Sequence, residues 1–168
     1  MQKTMSHVSA QSGKGFRIVR GLLPFVCSLA VFLAILFINL NLYAGVVSVG
    51  VFSCVVILGG WVSWYLLRKK PRRQLLPVLA VLLANLLAVG IFWGNLPRYT
   101  LAQAAQHVMA QEETVTAAPN PDYRVMDTAE PLNLLVDKGY VLRCTHDASG
   151  TQTVVFFQPI TGEYYEIE

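Results

Sequence analysis

The sequence predicts an α-helical membrane protein: three transmembrane helices, then a small extracytoplasmic α+β domain in which one or two helices accompany a three-stranded antiparallel meander. Three observations predict it. Two long stretches carry no charge, basic residues flank them on one side, and every acidic residue lies beyond them. Of the 168 residues, 54% are hydrophobic and 14% charged, whereas a soluble domain carries about 25% charged residues. Arg20 and Arg68 bracket 47 uncharged residues, and Arg73 and Arg98 bracket 24. A helix needs roughly 20 apolar residues to cross a bilayer. The first stretch therefore holds two spans and the second holds one.

Residues 1–17 form a basic cytoplasmic tail, polar and expected to be poorly ordered. The transmembrane region covers 18–97, with spans at about 18–38, 46–67 and 75–96. Pro24 falls near the start of the first span, where proline is best tolerated. That apolar run exceeds a signal-peptide core of 7–15 residues, and Leu42-Tyr43-Ala44 is a poor cleavage site, so a retained anchor is expected. Val26 ahead of Cys27 is likewise a poor lipobox. Asn39 to Gly45 suits a reversal, with Tyr43 at the interface. Trp61, Trp64 and Tyr65 cluster at the far end of the second span. Phe92, Trp93 and Tyr99 mark the outer end of the third, which Pro97 terminates.

Orientation follows from charge. Nine of the 13 Lys and Arg residues precede Gln74, in the tail and in the basic loop 68–73. Short loops rich in Lys and Arg stay cytoplasmic. Two spans between the two basic segments place both on one side, so span count and charge pattern agree. Residues 98–168 then form an acidic extracytoplasmic α+β domain with ten acidic against four basic side chains. A cell membrane of bacterial type is the expected location. The overall net charge of +3 averages these opposite faces and is no sign of nucleic-acid binding.

The outer domain reads as a helix over Thr100–Gln111, with Leu101, Ala105 and Val108 on one face and Gln103, Gln106 and a solvated His107 opposite. A loop is expected over Glu112–Thr128. A short helix is expected over Ala129–Lys138, with Thr128 as its N-cap and Gly139 as its stop. Strands follow at Tyr140–Asp147, Thr151–Pro159 and Glu163–Glu168, separated by turns at Ala148-Ser149-Gly150 and Ile160-Thr161-Gly162. The first strand places Tyr140, Leu142, Cys144 and His146 on one face. About 70 residues bury a marginal core, so support from the bilayer or a partner is expected.

Asn85, close to the midplane of the third span, is the foremost intramembrane candidate. It is read as a hydrogen-bonding contact between helices, in preference to a permeation site, because transport pathways recruit ionisable residues and these spans hold none. Ala80, Ala84 and Ala88, then Gly90 and Gly94, give the same span a stripe of small residues for helix packing, either within the chain or against another protein. Arg68, Lys69, Lys70, Arg72 and Arg73 fix topology and are placed to meet anionic lipid headgroups. Three cysteines are too few for a disulfide framework. Cys27 and Cys54 lie in spans. Cys144 reads as a small apolar core residue, since His146 two positions along a strand stands about 7 Å away, too far for direct proton transfer. His107 and His146 lack metal-ligand spacing.

No catalytic, cofactor or metal site is therefore expected. The expected function is a membrane-anchored extracytoplasmic interaction or sensing module, or an accessory subunit of a membrane complex. A small transporter or channel subunit acting as an oligomer is the alternative, and a membrane-bound enzyme comes third. The partners expected are the lipid bilayer and either another membrane protein or a second copy, with no nucleic acid. The ligand of the outer domain is not specified by sequence.

Overall fold

The computed structural model describes residues 3–68, 75–112, 114–128, 132–147 and 149–167, with side chains from Gly21 onward. The described residues divide into two compact units, one within Met1–Ala34 and Gly50–Gly90, the other within Ile35–Val49 and Ile91–Glu168.

Helix α1 runs Lys3–Leu42, α2 runs Ser53–Arg68 behind a 3-10 turn at Gly50–Phe52, and α3 runs Leu75–Gly94. Three segments are long and apolar enough to cross a membrane: Gly21–Leu42, Gly50–Arg68 and Leu75–Gly94. They leave large apolar side chains open, with Ile57 71% and Leu86 68% exposed. A soluble monomer rarely exposes apolar surface on this scale, whereas acyl chains cover it without cost.

Several boundaries differ from the sequence reading. Residues 3–17 are helical, since α1 extends back to Lys3. Adding turns to an existing helix needs no new nucleus, and this segment holds no proline to stop it. Pro24 consequently lies inside a helix. The same helix continues to Leu42, and near its end the Asn41 side chain donates to the Phe37 carbonyl at 2.8 Å. The reversal falls at Ala44 and Gly45, both at positive φ. The second span starts at Gly50 rather than Val46. Val47 is held in extended form by Asn39, whose side chain accepts its N–H at 3.1 Å and donates to its carbonyl at 2.8 Å. The third ends at Gly94. Lys69, Lys70, Arg72 and Arg73 lie outside the described residues, while Arg68 closes α2 with its guanidinium 4.5 Å over the Trp64 ring.

In the second unit, α4 (Leu101–Gln111) is capped by Thr100, whose hydroxyl accepts from the Gln103 N–H while the Gln103 side chain accepts from the Thr100 N–H. This reciprocal pair satisfies two otherwise orphaned donors. The sheet comprises β1 (Val115–Pro119), β2 (Val125–Asp127), β3 (Lys138–His146), β4 (Gln152–Phe157) and β5 (Tyr164–Ile167). All pairings are antiparallel, in the order β1-β3-β4-β5, with β2 also on β3. The predicted meander is β3-β4-β5.

Two expectations are corrected here. The loop expected over Glu112–Thr128 contains β1 and β2. Residues 132–138 are not helical: the Asn133 carboxamide oxygen takes the N–H groups of Leu135 and Val136, each at 2.9 Å, and Val136 bridges to Val47. An Asx turn of this kind competes with a helix for the same donors. The Thr128 N–H and hydroxyl both donate to the Asp137 carbonyl at 2.8 Å. Ala129 to Pro131 lie outside the described residues. Helix α4 buries Ala104, Ala105 and Val108 against the sheet, over β1 and β3. The core beneath it includes Val115, Ala117, Tyr140, Leu142, Cys144, Val155 and Phe157.

Candidate functional site

In the first unit, Ser28 and Asn85 are buried, at 0% and 6% exposure. Asn85 Nδ2 donates to the Val81 carbonyl at 2.8 Å and contacts Ser28 Oγ at 3.1 Å. The contact with Ser28 joins α3 to α1. Its Oδ1 is buried with no hydrogen-bond partner. Gly59 makes room for Ser28, because a Cβ there would stand 2.5 Å from Ser28 Oγ and 3.0 Å from the Pro24 carbonyl oxygen. One residue beyond the proline, the Phe25 N–H donates to Ser63 Oγ at 3.0 Å. Serine hydroxyls on neighbouring helices satisfy backbone groups around prolines in this way. Of the small-residue stripe, Ala88 is buried, Ala84 half-buried and Ala80 exposed. Gly90 and Gly94 are exposed, with nothing within 4 Å of where a Cβ would stand.

In the second unit, a cleft of about 660 Å³ lies between α4 and the β4–β5 turn, lined by Tyr99, His107, Gln111, Thr161, Gly162, Glu163 and Tyr164. A neighbouring hollow of about 370 Å³ shares Tyr99 and His107 and adds Arg98, Gln103 and Gln106. Backbone bonds at both sides fix Tyr99: its N–H donates to the Pro159 carbonyl at 3.1 Å, and its carbonyl accepts from the Tyr140 phenol at 3.0 Å. Its ring lies 5.0 Å from the His107 ring and edge-on to Phe157 at 5.5 Å. Gly162, at φ +83, leaves no side chain where a Cβ would approach the Tyr99 ring to 3.0 Å. His107 is thus half-buried among aromatics, not solvated as its helix face suggests, and Gln111 Nε2 meets its Nε2 at 3.2 Å.

Carboxylates border this region. Tyr164 donates its phenol to Glu112 at 3.0 Å. Burial, this hydrogen bond and the Glu112 charge push the Tyr164 phenol up. Burial first, then the charges of Glu112 and Glu166, push the Cys144 thiol up, so it stays protonated and is a poor nucleophile at neutral pH. Among the described residues no three His, Cys, Asp or Glu side chains group as metal ligands. The cleft offers an aromatic wall, amide and hydroxyl donors and a carboxylate, which suits reversible binding of a polar chain.

Sequence reasoning missed this cleft. Tyr99 precedes the Thr100 cap while His107 lies on α4, so the two rings meet at 5.0 Å through the fold and not through a shared helix face. Compared with known proteins, the chain matches no family model, no curated protein and no solved structure.

Proposed function

We propose that this chain is a membrane-anchored docking module: three helices hold it in the bilayer, and residues 98–168 present a binding surface outside the cytoplasm. The observation that carries the reading is the cleft walled by Tyr99, His107 and Tyr164. It gathers aromatic, amide and carboxylate groups in one concave site, whereas residues 21–67 and 74–97 contain no charged side chain. The positive-inside pattern supports the orientation, with the basic N-terminal segment and the 68–73 loop in the cytoplasm.

The test is purification in a gentle detergent from the cell of origin, with mass spectrometry of what remains bound. A stoichiometric membrane partner is expected with the wild-type chain and not with Tyr99→Ala/His107→Ala. A chain that emerges alone in both forms counts against docking.

A second reading, a small transporter or channel subunit, draws on the unpartnered Oδ1 of Asn85 buried among the spans. Buried acceptors ordinarily find a donor. Asn85→Leu separates the two readings. Assembly retained with flux lost favours the transport subunit.

A further inference from the structure

We propose that the open edge of β5, together with the cleft beside it, binds an extended basic segment of another protein by strand addition; this rests on the docking reading above. β5 is the terminal strand of the sheet. Gln158 donates to the Glu163 carbonyl at 2.8 Å, which sets the alternation of the ladder. Phe156 with Tyr165 and Val154 with Ile167 are then the hydrogen-bonded pairs. Tyr164 and Glu166 consequently turn their N–H and C=O groups away from β4, toward the open side.

Natural sheets usually blunt such an edge with lysine, proline or a bulge. β5 reads Tyr-Tyr-Glu-Ile: it is short and carries the charge of Glu166, which blunt it in part, but it holds no Lys or Pro and its Tyr165 is exposed. The C-terminal segment that carries β5 has charge of one sign, while Arg98 stands with its guanidinium 5.6 Å over the Tyr99 ring of the cleft. Residues 144–168 include no Lys or Arg and four acidic side chains, among them Glu163 and Glu166. Glu112 reaches the same strand through Tyr164. A second copy added through its own β5 would bring two negatively charged edges together, which is unfavourable. An incoming strand with Lys or Arg at alternate positions meets these carboxylates instead. Where β5 begins, one such side chain can enter the cleft, lay its stem on the Tyr99 ring and bring its charge to Glu163. Main-chain bonds along Tyr164 and Glu166 supply the affinity, and the cleft supplies selectivity.

The experiment pans a display library of random dodecapeptides against the full-length chain in lipid nanodiscs. The expected outcome is enrichment of sequences with Lys or Arg at alternating positions. Their affinity should fall about tenfold with Glu163→Gln/Glu166→Gln, which removes the charge, and with Glu166→Pro, which removes one outward N–H. If Glu166→Pro fails to fold, methylation of the peptide's own backbone N–H groups makes the same test on the wild-type protein. Binders that ignore all these changes but are lost with Tyr99→Ala overturn strand addition and leave the docking reading standing. Enrichment of acidic sequences overturns the basic partner. Self-association abolished by Glu166→Pro, with no peptide enriched, assigns the edge to a second copy and overturns the proposal. No enrichment and no self-association overturns the strand proposal, and the docking reading then stands or falls by the co-purification.

Discussion

The phenol of Tyr140 donates to the backbone carbonyl of Tyr99 across 3.0 Å, so the wall of the cleft is tied to the central strand of the sheet. Tyr140 is fully buried, and its ring stacks with Phe157, whose edge supports Tyr99. Removing the hydroxyl strands the Tyr99 carbonyl. This bond is part-buried, and the net loss of such a hydrogen bond is about 0.5–1.5 kcal/mol. Tyr140→Phe should therefore lower the unfolding midpoint of the sheet-bearing unit and weaken binding at the cleft, although residue 140 does not line it. Thermal unfolding and peptide affinity measured on one preparation check both effects.

The same residue makes stability depend on alkaline pH. Burial, followed by the neighbouring Tyr43, pushes the Tyr140 phenol well above its ordinary value of 10.0. The folded state therefore holds this proton more tightly than the unfolded one. Its stabilising contribution is complete below pH 10 and is lost as pH rises from there toward the folded value. Unfolding midpoints should fall more steeply above about pH 10 in wild type than in Tyr140→Phe, which has no such proton to lose. Parallel slopes would show that other groups carry the alkaline loss.

Legibility divides by the type of signal. The three apolar segments were readable because length and the absence of charge suffice, and the meander was readable because Tyr140–His146 and Gln152–Phe157 are rich in β-branched and aromatic residues. β1 escaped because Val-Thr-Ala-Ala-Pro has weak strand propensity; its place depends on pairing with β3, a long-range contact. The false helix before β3 arose from Leu132 to Val136, whose apolar spacing fits a helix until Asn133 claims the local N–H groups. Asn85 was noticed as a polar residue in an apolar span, yet Ser28 as its neighbour depends on how α1 and α3 pack. The cleft joins Tyr99 to Gly162, 63 positions apart, and no local pattern reports such a meeting.

Glycines in the spans are predicted to differ sharply. A Cβ at Gly59 would stand 2.5 Å from Ser28 Oγ and 2.8 Å from Ser28 Cβ, both on a short side chain with little room to move. Overpacking of this kind costs about 1–3 kcal/mol. Gly59→Ala should destabilise the three-helix unit by that order, and Ser28→Gly in the same chain should recover part of the loss. Gly90→Ala meets nothing within 4 Å. It should be neutral or slightly stabilising, since alanine is favoured over glycine in a helix by about 0.5–1 kcal/mol. Unfolding in mixed detergent micelles, read by tryptophan fluorescence, ranks the variants. Equal effects at the two sites would sink the proposed Gly59–Ser28 fit.

Gly162 and Gly150 form a matched pair that separates backbone strain from cleft shape. Both adopt positive φ, +83 and +66, so alanine at either costs about 1 kcal/mol in strain. Only at Gly162 does the new Cβ meet the site, 3.0 Å from Cε2 of Tyr99 and 3.2 Å from its hydroxyl oxygen. At Gly150 nothing stands within 4 Å. Tyr99 cannot retreat freely, because its N–H and carbonyl are both held. Gly162→Ala should lose at least as much thermal stability as Gly150→Ala, since it adds a tight contact to the same strain, while ligand affinity should fall in Gly162→Ala and stay at the wild-type level in Gly150→Ala. If affinity is unchanged in both, Tyr99 is not part of the binding surface, and the ligand contacts the domain elsewhere.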